Sequence, residues 1–142
     1  MKNLKFKIVG VFLVFVLLAG FTGCKKDDVP LSRKDLLTSH NWKMSSFKIN
    51  GVAQVIEDCS KDDFLKFGSD GTVRYEPGPV KCSDDPEMVS VGWYKLSSDE
   101  KTMSITEAGV SQGITIVELT ESKFVISIEE YGIVMEEPFI AF

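Results

Sequence analysis

Apolar and polar residues alternate with a period of two along most of the chain after residue 42, as expected for strands with one buried face. In one such run, Phe124, Ile126 and Ile128 are separated by Val125 and Ser127. Reading the chain in this way predicts eight short strands, over residues 42–49, 62–67, 72–76, 89–96, 102–106, 114–120, 123–129 and 133–142.

A short helix is predicted just before the first strand, over residues 32–42. Ser32 is a good helix N-cap, and Asp35 stands three residues later, where its carboxylate can complete a capping box. Leu36 and Leu37 are the apolar residues of this segment that we expect to face inward.

Turn sequences separate the predicted strands, among them Asn50-Gly51 and the hairpin loop at residues 68–71. Eight strands joined by such turns favour an antiparallel up-and-down meander, which can close into a barrel and so remove its exposed edges. An eight-stranded barrel has room for side chains or for one small ligand. A β-sandwich would give the same local pattern, so both all-β architectures remain open at this point.

The first 23 residues have the layout of a secretory signal peptide, with three lysines followed by an apolar run over residues 8–18. The run ends in Phe21-Thr22-Gly23-Cys24, which resembles a bacterial lipobox. The resemblance implies cleavage before Cys24 and acylation of that cysteine, with palmitate among the expected chains. A multiply acylated cysteine is a stable membrane anchor. An uncleaved membrane anchor is the alternative.

Residues 24–31 form a short charged tether ahead of the predicted domain, which spans residues 32–142. Lys25-Lys26-Asp27-Asp28 resembles the charged signals that send lipoproteins of Bacteroidetes to the cell surface. The alternative is an ordinary solvated linker. Either way, we expect a cell-envelope location, on the outer membrane and with surface exposure if the signal operates.

Charge limits the partners of the exported chain. Three of the 16 basic residues lie in the signal peptide, which leaves 13 basic against 21 acidic residues and a net charge of −8. Nucleic-acid binding requires basic residues that neutralise phosphates, so no nucleic-acid partner is expected. An acidic domain is also repelled by an anionic membrane surface, so the lipid on Cys24 would have to supply the membrane contact.

Two cysteines remain after Cys24, and an exported protein meets an oxidising compartment. We therefore predict a disulfide between Cys59 and Cys82, which stabilises the fold by roughly 3 kcal/mol in the chain-entropy model. The alternative is a metal or redox pair. That alternative has little support, because the chain has no Cys-x-x-Cys spacing and its one histidine, His40, is distant in sequence.

Several motifs resemble, in their order, the lipocalin-like domains of Bacteroidetes lipoproteins. They are Leu37 with Trp42, a Phe-x-x-Asp-Gly-Thr hairpin at residues 67–72, a central strand with Trp93 at residues 92–96, and a late hairpin at residues 116–126. The resemblance covers nearly all of residues 31–142. It implies a lipocalin-like eight-stranded barrel and leaves the ligand open, because fold does not determine function.

The aromatic residues of a small barrel mostly belong to its core, but some can line a pocket. Trp93 and Tyr75 are the two that we predict to contact a ligand. The main functional hypothesis is thus a non-catalytic module that binds a small apolar ligand or an extracellular partner. A structural or inhibitory envelope lipoprotein, acting on a lysozyme or protease, is the alternative.

No catalytic, metal or cofactor site is predicted. A Ser-His-Asp arrangement would have to use His40, which lies at a helix-to-strand junction with no nucleophile motif in the chain. Three acidic pairs, Asp62-Asp63, Asp84-Asp85 and Glu136-Glu137, are candidates for calcium. Calcium needs several converging oxygen ligands, and without an EF-hand-like loop we expect these pairs to be solvated loop charges.

Overall fold

Ten antiparallel strands, one short α-helix and one 3-10 turn (Asp58–Ser60) make up the regular structure of the residues that the computed structural model describes, 30–82 and 89–142. The elements in chain order are α1 (Arg33–Ser39), β1 (Asn41–Met44), β2 (Phe47–Ile49), β3 (Val52–Gln54), β4 (Phe64–Phe67), β5 (Thr72–Glu76), β6 (Ser90–Leu96), β7 (Thr102–Glu107), β8 (Val110–Leu119), β9 (Lys123–Glu130) and β10 (Ile133–Ala141). The predicted signal peptide, Cys24 and the pair Asp84-Asp85 lie outside the described residues.

Eight of these strands close into a barrel. From β4 to β10 each strand pairs with its successor, and β1 pairs with both β4 and β10, which joins the two edges of the sheet. The closing register sets Trp42 opposite Ala141 on one side and opposite Leu65 on the other. The predicted all-β, eight-stranded antiparallel barrel is therefore confirmed, and a sandwich is excluded.

The short helix α1 lies across one end of the barrel. It begins as predicted, with the Ser32 hydroxyl accepting a hydrogen bond from the Asp35 backbone N–H at 3.0 Å and the Asp35 carboxylate reaching back to Ser32. Leu37 of the helix is fully buried. The Trp42 indole N–H donates to the Leu37 carbonyl at 2.9 Å, which fixes the helix to the first strand.

Aromatic rings fill the barrel beneath the helix. Phe124 is fully buried, and its ring centroid lies 5.4 Å from that of Trp42, 5.8 Å from that of Phe67 and 5.6 Å from that of Phe139. Such tilted and edge-to-face contacts stabilise a core beyond the area that they bury. This end, which we call the closed end, is therefore blocked by α1 and these rings.

The opposite end of the barrel, here the open end, carries three two-residue hairpin turns. These turns are Asn50-Gly51, Ala108-Gly109 and Tyr131-Gly132, and both residues of each have positive φ. Positive φ at both positions defines the type I′ turn, whose twist matches that of paired strands.

No helix of the described residues has the length and apolar composition needed to cross a bilayer.

The first predicted strand, residues 42–49, is in fact two strands separated by a bend at residues 45 and 46. Pro138 lies opposite the bend on β10 and has no N–H to donate, so the ladder cannot run on unchanged. Instead the Ser45 backbone N–H and hydroxyl both donate to the Pro138 carbonyl, at 2.8 and 2.9 Å. β2 then continues along β10 and forms a hairpin with β3, a strand that the sequence did not predict.

Candidate functional site: a cavity at the open end

A cavity of about 530 Å³, partly open to solvent, lies at the open end of the barrel. This volume is within the range of about 300–1,000 Å³ that is usual for small-molecule sites. Its wall consists mainly of inward-facing strand residues and of the segment that follows β3: Trp42, Met44, Phe47, Val55, Ile56, Glu57, Ser60, Asp63, Phe64, Leu65, Tyr75, Glu137 and Phe139.

Most of the cavity wall is apolar because strands alternate their side chains between the two faces of a sheet. On β4 and β5, paired residues Leu65 and Tyr75 both reach the cavity. On β1, Trp42 and Met44 do the same, and Trp42 also belongs to the buried core. The cavity floor is thus continuous with the aromatic core of the closed end.

Glu137 is the charged exception on the inner wall of β10. Its neighbours on the same face, Met135 and Phe139, pack against the core, while Glu137 lines the cavity. Burial raises the pKa of the Glu137 carboxyl above its ordinary value. Its carboxylate forms no hydrogen bond or ion pair with the part of the chain that the structure describes.

A second carboxylate at the cavity, Asp63, has hydrogen-bond partners. It accepts a hydrogen bond from the Tyr75 hydroxyl and another, at 2.7 Å, from the Gly78 backbone N–H. The adjacent Asp62 accepts from the Val80 backbone N–H at 2.9 Å. These two acids therefore hold the segment after β5 against the start of β4, and Asp63 orients the Tyr75 ring at the cavity.

The disulfide between Cys59 and Cys82 is present and joins the two long connections of the open end. Cys59 lies in a single 3-10 turn, Asp58–Ser60. Ser60 of this turn and Glu57, which precedes it, line the cavity. The two Cα atoms are 5.2 Å apart. The Sγ atoms lie near the Glu57 carboxylate, but disulfide sulfurs are not available as thiolate metal ligands.

Comparison with known proteins shows the family to which this barrel belongs. A sequence model of the lipocalin-like domain matches residues 39–126, which is more than half of the chain. The chain belongs to the lipocalin-like domain family. The match begins at Ser39, near the end of α1, and extends to Ile126 of β9, so it includes most of the barrel.

A solved structure supports the same fold for this lipocalin-like chain. It is a lipocalin-like protein from Bacteroides uniformis, which shares 14% sequence identity with this chain and superposes with a TM-score of 0.55. The alignment covers 75% of this chain and 99% of the other. A likeness at that identity establishes fold alone. A search of curated proteins found no match.

Of the two aromatic residues predicted to contact a ligand, only Tyr75 lines the cavity of the lipocalin-like barrel. Trp93 lies on the outer face of β6 and is 61% exposed, so placing it at the cavity was wrong. Its neighbours Gly92 and Tyr94 are buried and occupy the inner face. The sequence did contain a signal for this. Tyr94 and Leu96 are two residues apart and so share one face of the strand, which places Trp93, one residue before Tyr94, on the other face.

Two of the three acidic pairs lie among the described residues, and they are not simply the solvated loop charges that the sequence suggested. Glu136 and Glu137 point to opposite faces of β10, and Glu136 forms an outer ion pair with Lys48 at 2.6 Å. The two carboxylates therefore cannot converge on one cation. Asp62 and Asp63 bind backbone N–H groups instead, as described above.

His40 is at the C-cap of α1, at the closed end. Its ring contacts Trp42 edge-on, with centroids 5.8 Å apart. It does not line the open-end cavity. The structure thus separates the histidine from the carboxylates of the cavity.

Proposed function

We propose that this chain is a lipid-anchored lipoprotein of the cell envelope whose barrel binds a small apolar ligand in the open-end cavity. The observation that carries the binding part is the cavity itself, with its volume of about 530 Å³ and its mainly apolar wall. Family membership supports it, because the lipocalin-like fold is generally a binding fold. A filled barrel interior would instead have favoured a structural or inhibitory role.

The anchoring part of the proposal is supported by the sequence. Cys24 follows a basic and apolar leader in the order of a lipobox, and residues 31–142 form a compact unit that begins soon after it. We propose the outer membrane as its location, with exposure at the cell surface if residues 25–28 act as an export signal. Growth with a clickable palmitate analogue tests this, because label should enter the wild type but not a Cys24→Ala variant.

Native mass spectrometry of residues 25–142, purified gently from the source organism, tests the binding part. The segment contains every described strand and the whole described core, so it is expected to fold by itself. A discrete additional mass that disappears on denaturation is the expected result. A protein without any such mass, and without binding of added apolar compounds, would contradict the proposal and favour a macromolecular partner.

Tryptophan fluorescence offers a second, local measurement. The chain has two tryptophans, and only Trp42 lines the cavity. A Trp93→Phe variant removes the exposed outer fluorophore and leaves Trp42 as the reporter. A ligand in the cavity should change this emission saturably with one-to-one stoichiometry, whereas nonspecific surface adsorption should not saturate in that way.

A further inference from the structure

The partly buried carboxylate of Glu137, on the cavity side of β10, indicates the kind of ligand that the cavity accepts. Every other residue of β10 that packs inward is apolar, namely Met135, Phe139 and Ala141. The next residue along the strand, Glu136, faces outward and is paired with Lys48. Glu137 has no partner among the described residues. One position earlier on the strand, a glutamate faces outward, where solvent and Lys48 are within reach.

An unpaired carboxylate that is partly withdrawn from water against an apolar wall lowers the stability of the folded protein. Desolvation disfavours the charged form, and no hydrogen bond to the described residues offsets it. A methionine or leucine in the same position would fill the barrel without this cost. Groups held in such unfavourable surroundings cluster at functional sites, where a ligand supplies the missing partner.

The remaining charges of the cavity indicate the sign of that partner. The described lining residues include three carboxylates, those of Glu57, Asp63 and Glu137, and no lysine, arginine or histidine. Five aromatic rings also line it, and the faces of such rings attract cations. They are those of Trp42, Phe47, Phe64, Tyr75 and Phe139.

We infer that the cavity binds a protonated amine on an apolar body, with the ammonium group paired to Glu137. This inference rests on the proposed function and specifies its ligand class. The apolar body contacts the aromatic and aliphatic wall, and the ammonium supplies the partner that Glu137 lacks. A fatty acid is disfavoured in the same cavity, because its carboxylate would face the like charges of Glu57, Asp63 and Glu137.

Three probes of equal chain length test the charge preference: decylammonium, decan-1-ol and decanoate. The two ions are used below their critical micelle concentrations and the alcohol below its solubility limit. All three are titrated at neutral pH into the Trp93→Phe protein, with Trp42 emission as the readout. We expect decylammonium to bind about tenfold more tightly than decan-1-ol, because a charge-assisted hydrogen bond is stronger than a neutral one. Decanoate should bind most weakly.

Two matched variants locate the effect. Glu137→Gln keeps the shape of the side chain and removes its charge, so it should abolish the advantage of decylammonium over decan-1-ol. Glu136→Gln removes a carboxylate from the same strand on the outer face and should preserve that advantage. Circular dichroism and the unfolding midpoint verify that each variant is folded, and Glu137→Met serves as a second neutral substitution.

The outcomes separate this inference from the proposed function. If decan-1-ol and decanoate bind as tightly as decylammonium, or if Glu137→Gln leaves the preference intact, the ammonium assignment is overturned while apolar binding stands. If none of the three probes binds, and no endogenous ligand accompanies the purified protein, the proposed function itself is overturned.

Discussion

At the scale of single residues, two carboxylates of the cavity have opposite surroundings. Asp63 accepts hydrogen bonds from Tyr75 and Gly78, so its charge is compensated by groups of the protein. Glu137 lies inward among apolar residues and lacks such partners in the described part of the chain. Asp63 therefore stabilises the open end, whereas Glu137 lowers the stability of the fold. Groups that serve binding often have such a cost.

Replacing Glu137 with glutamine should therefore make the protein more stable, and the gain should depend on pH. Burial raises the pKa of Glu137, so the folded state binds its proton more tightly than the unfolded state does. The stability of the wild type then declines as pH rises from the unfolded-state pKa through the folded-state pKa. Glu137→Gln should exceed the wild type in urea midpoint at about pH 8 and match it at about pH 4.

The Glu136→Gln variant is the control for this comparison. It removes an exposed ion pair with Lys48, and such pairs contribute about 0–1 kcal/mol. An equal stability difference between wild type and Glu137→Gln at both pH values would show that Glu137 keeps an ordinary pKa.

At the scale of elements, close approach of strands explains why glycine occupies position 92. A Cβ atom added to Gly92 of β6 would lie 2.8 Å from the Thr106 backbone oxygen of β7. Because that neighbour is backbone within a strand pair, it cannot move aside without disturbing the ladder. Gly113 of β8, by contrast, has open space at the corresponding point.

Gly92→Ala should consequently destabilise the barrel by about 1–3 kcal/mol, the usual cost of overpacking. Gly113→Ala is the matched control and should be neutral or slightly stabilising, because alanine has less backbone freedom to lose on folding. Guanidinium unfolding of both variants checks this. Equal midpoints for the two would mean that the strand pair adjusts at little cost.

The hairpin turn at Tyr131 and Gly132 allows a second prediction at this scale, about stability. Tyr131 has a φ of 51°, a left-handed conformation that is unfavourable for a large side chain, and it is 97% exposed. Tyr131→Asn should raise stability by roughly 0.5–1 kcal/mol, since asparagine tolerates this conformation and little packing is lost. A lower thermal midpoint would indicate that the Tyr131 ring makes contacts that its exposure does not suggest.

At the scale of the whole molecule, the disulfide links the two long connections of the open end. It closes the loop between Cys59 and Cys82, which contains β4 and β5. The link restricts the unfolded chain and also holds the 3-10 turn, with Glu57 and Ser60, at the cavity. Both stability and binding should depend on it.

Reduction, or the double substitution Cys59→Ser with Cys82→Ser, should lower the free energy of unfolding by about 3 kcal/mol. The barrel should remain folded, because its closing pairings do not involve the cysteines. Urea unfolding with and without reductant measures the first effect, and Trp42 titrations measure the effect on binding. An unchanged midpoint on complete reduction would contradict the prediction.

The alternation of apolar residues predicted most of the fold because it is a local property of strands. It predicted the strands of an all-β fold and, with Ser32 and Asp35, the start of α1. The choice of a barrel over a sandwich came from the resemblance to lipocalin-like domains, because both architectures give the same alternation. The alternation did not predict the bend after Met44, which depends on Pro138, a residue almost a hundred positions away in sequence. It also missed the first residues of β8, where Ser111 and Gln112 are exposed and no burial pattern arises.

The cavity was harder to predict than the barrel, because it is formed by residues that are distant in sequence. Tyr75 was found because aromatic residues near a barrel end are good candidates. Glu137 was missed because a charge inside a strand is ordinarily assigned to the solvent face, and only the pairing of β10 with its neighbours shows otherwise. The position of a residue that departs from the strand alternation, as Glu137 does, can be determined only once the pairing of the strands is known.

The division of the barrel into a closed and an open end has a consequence for how such a protein can evolve. The helix and most of the buried core lie at the closed end, and among the described lining residues only Trp42 and Phe139 also belong to that buried core. Substitutions around the cavity can therefore change the ligand that we propose for it while the determinants of folding stay intact.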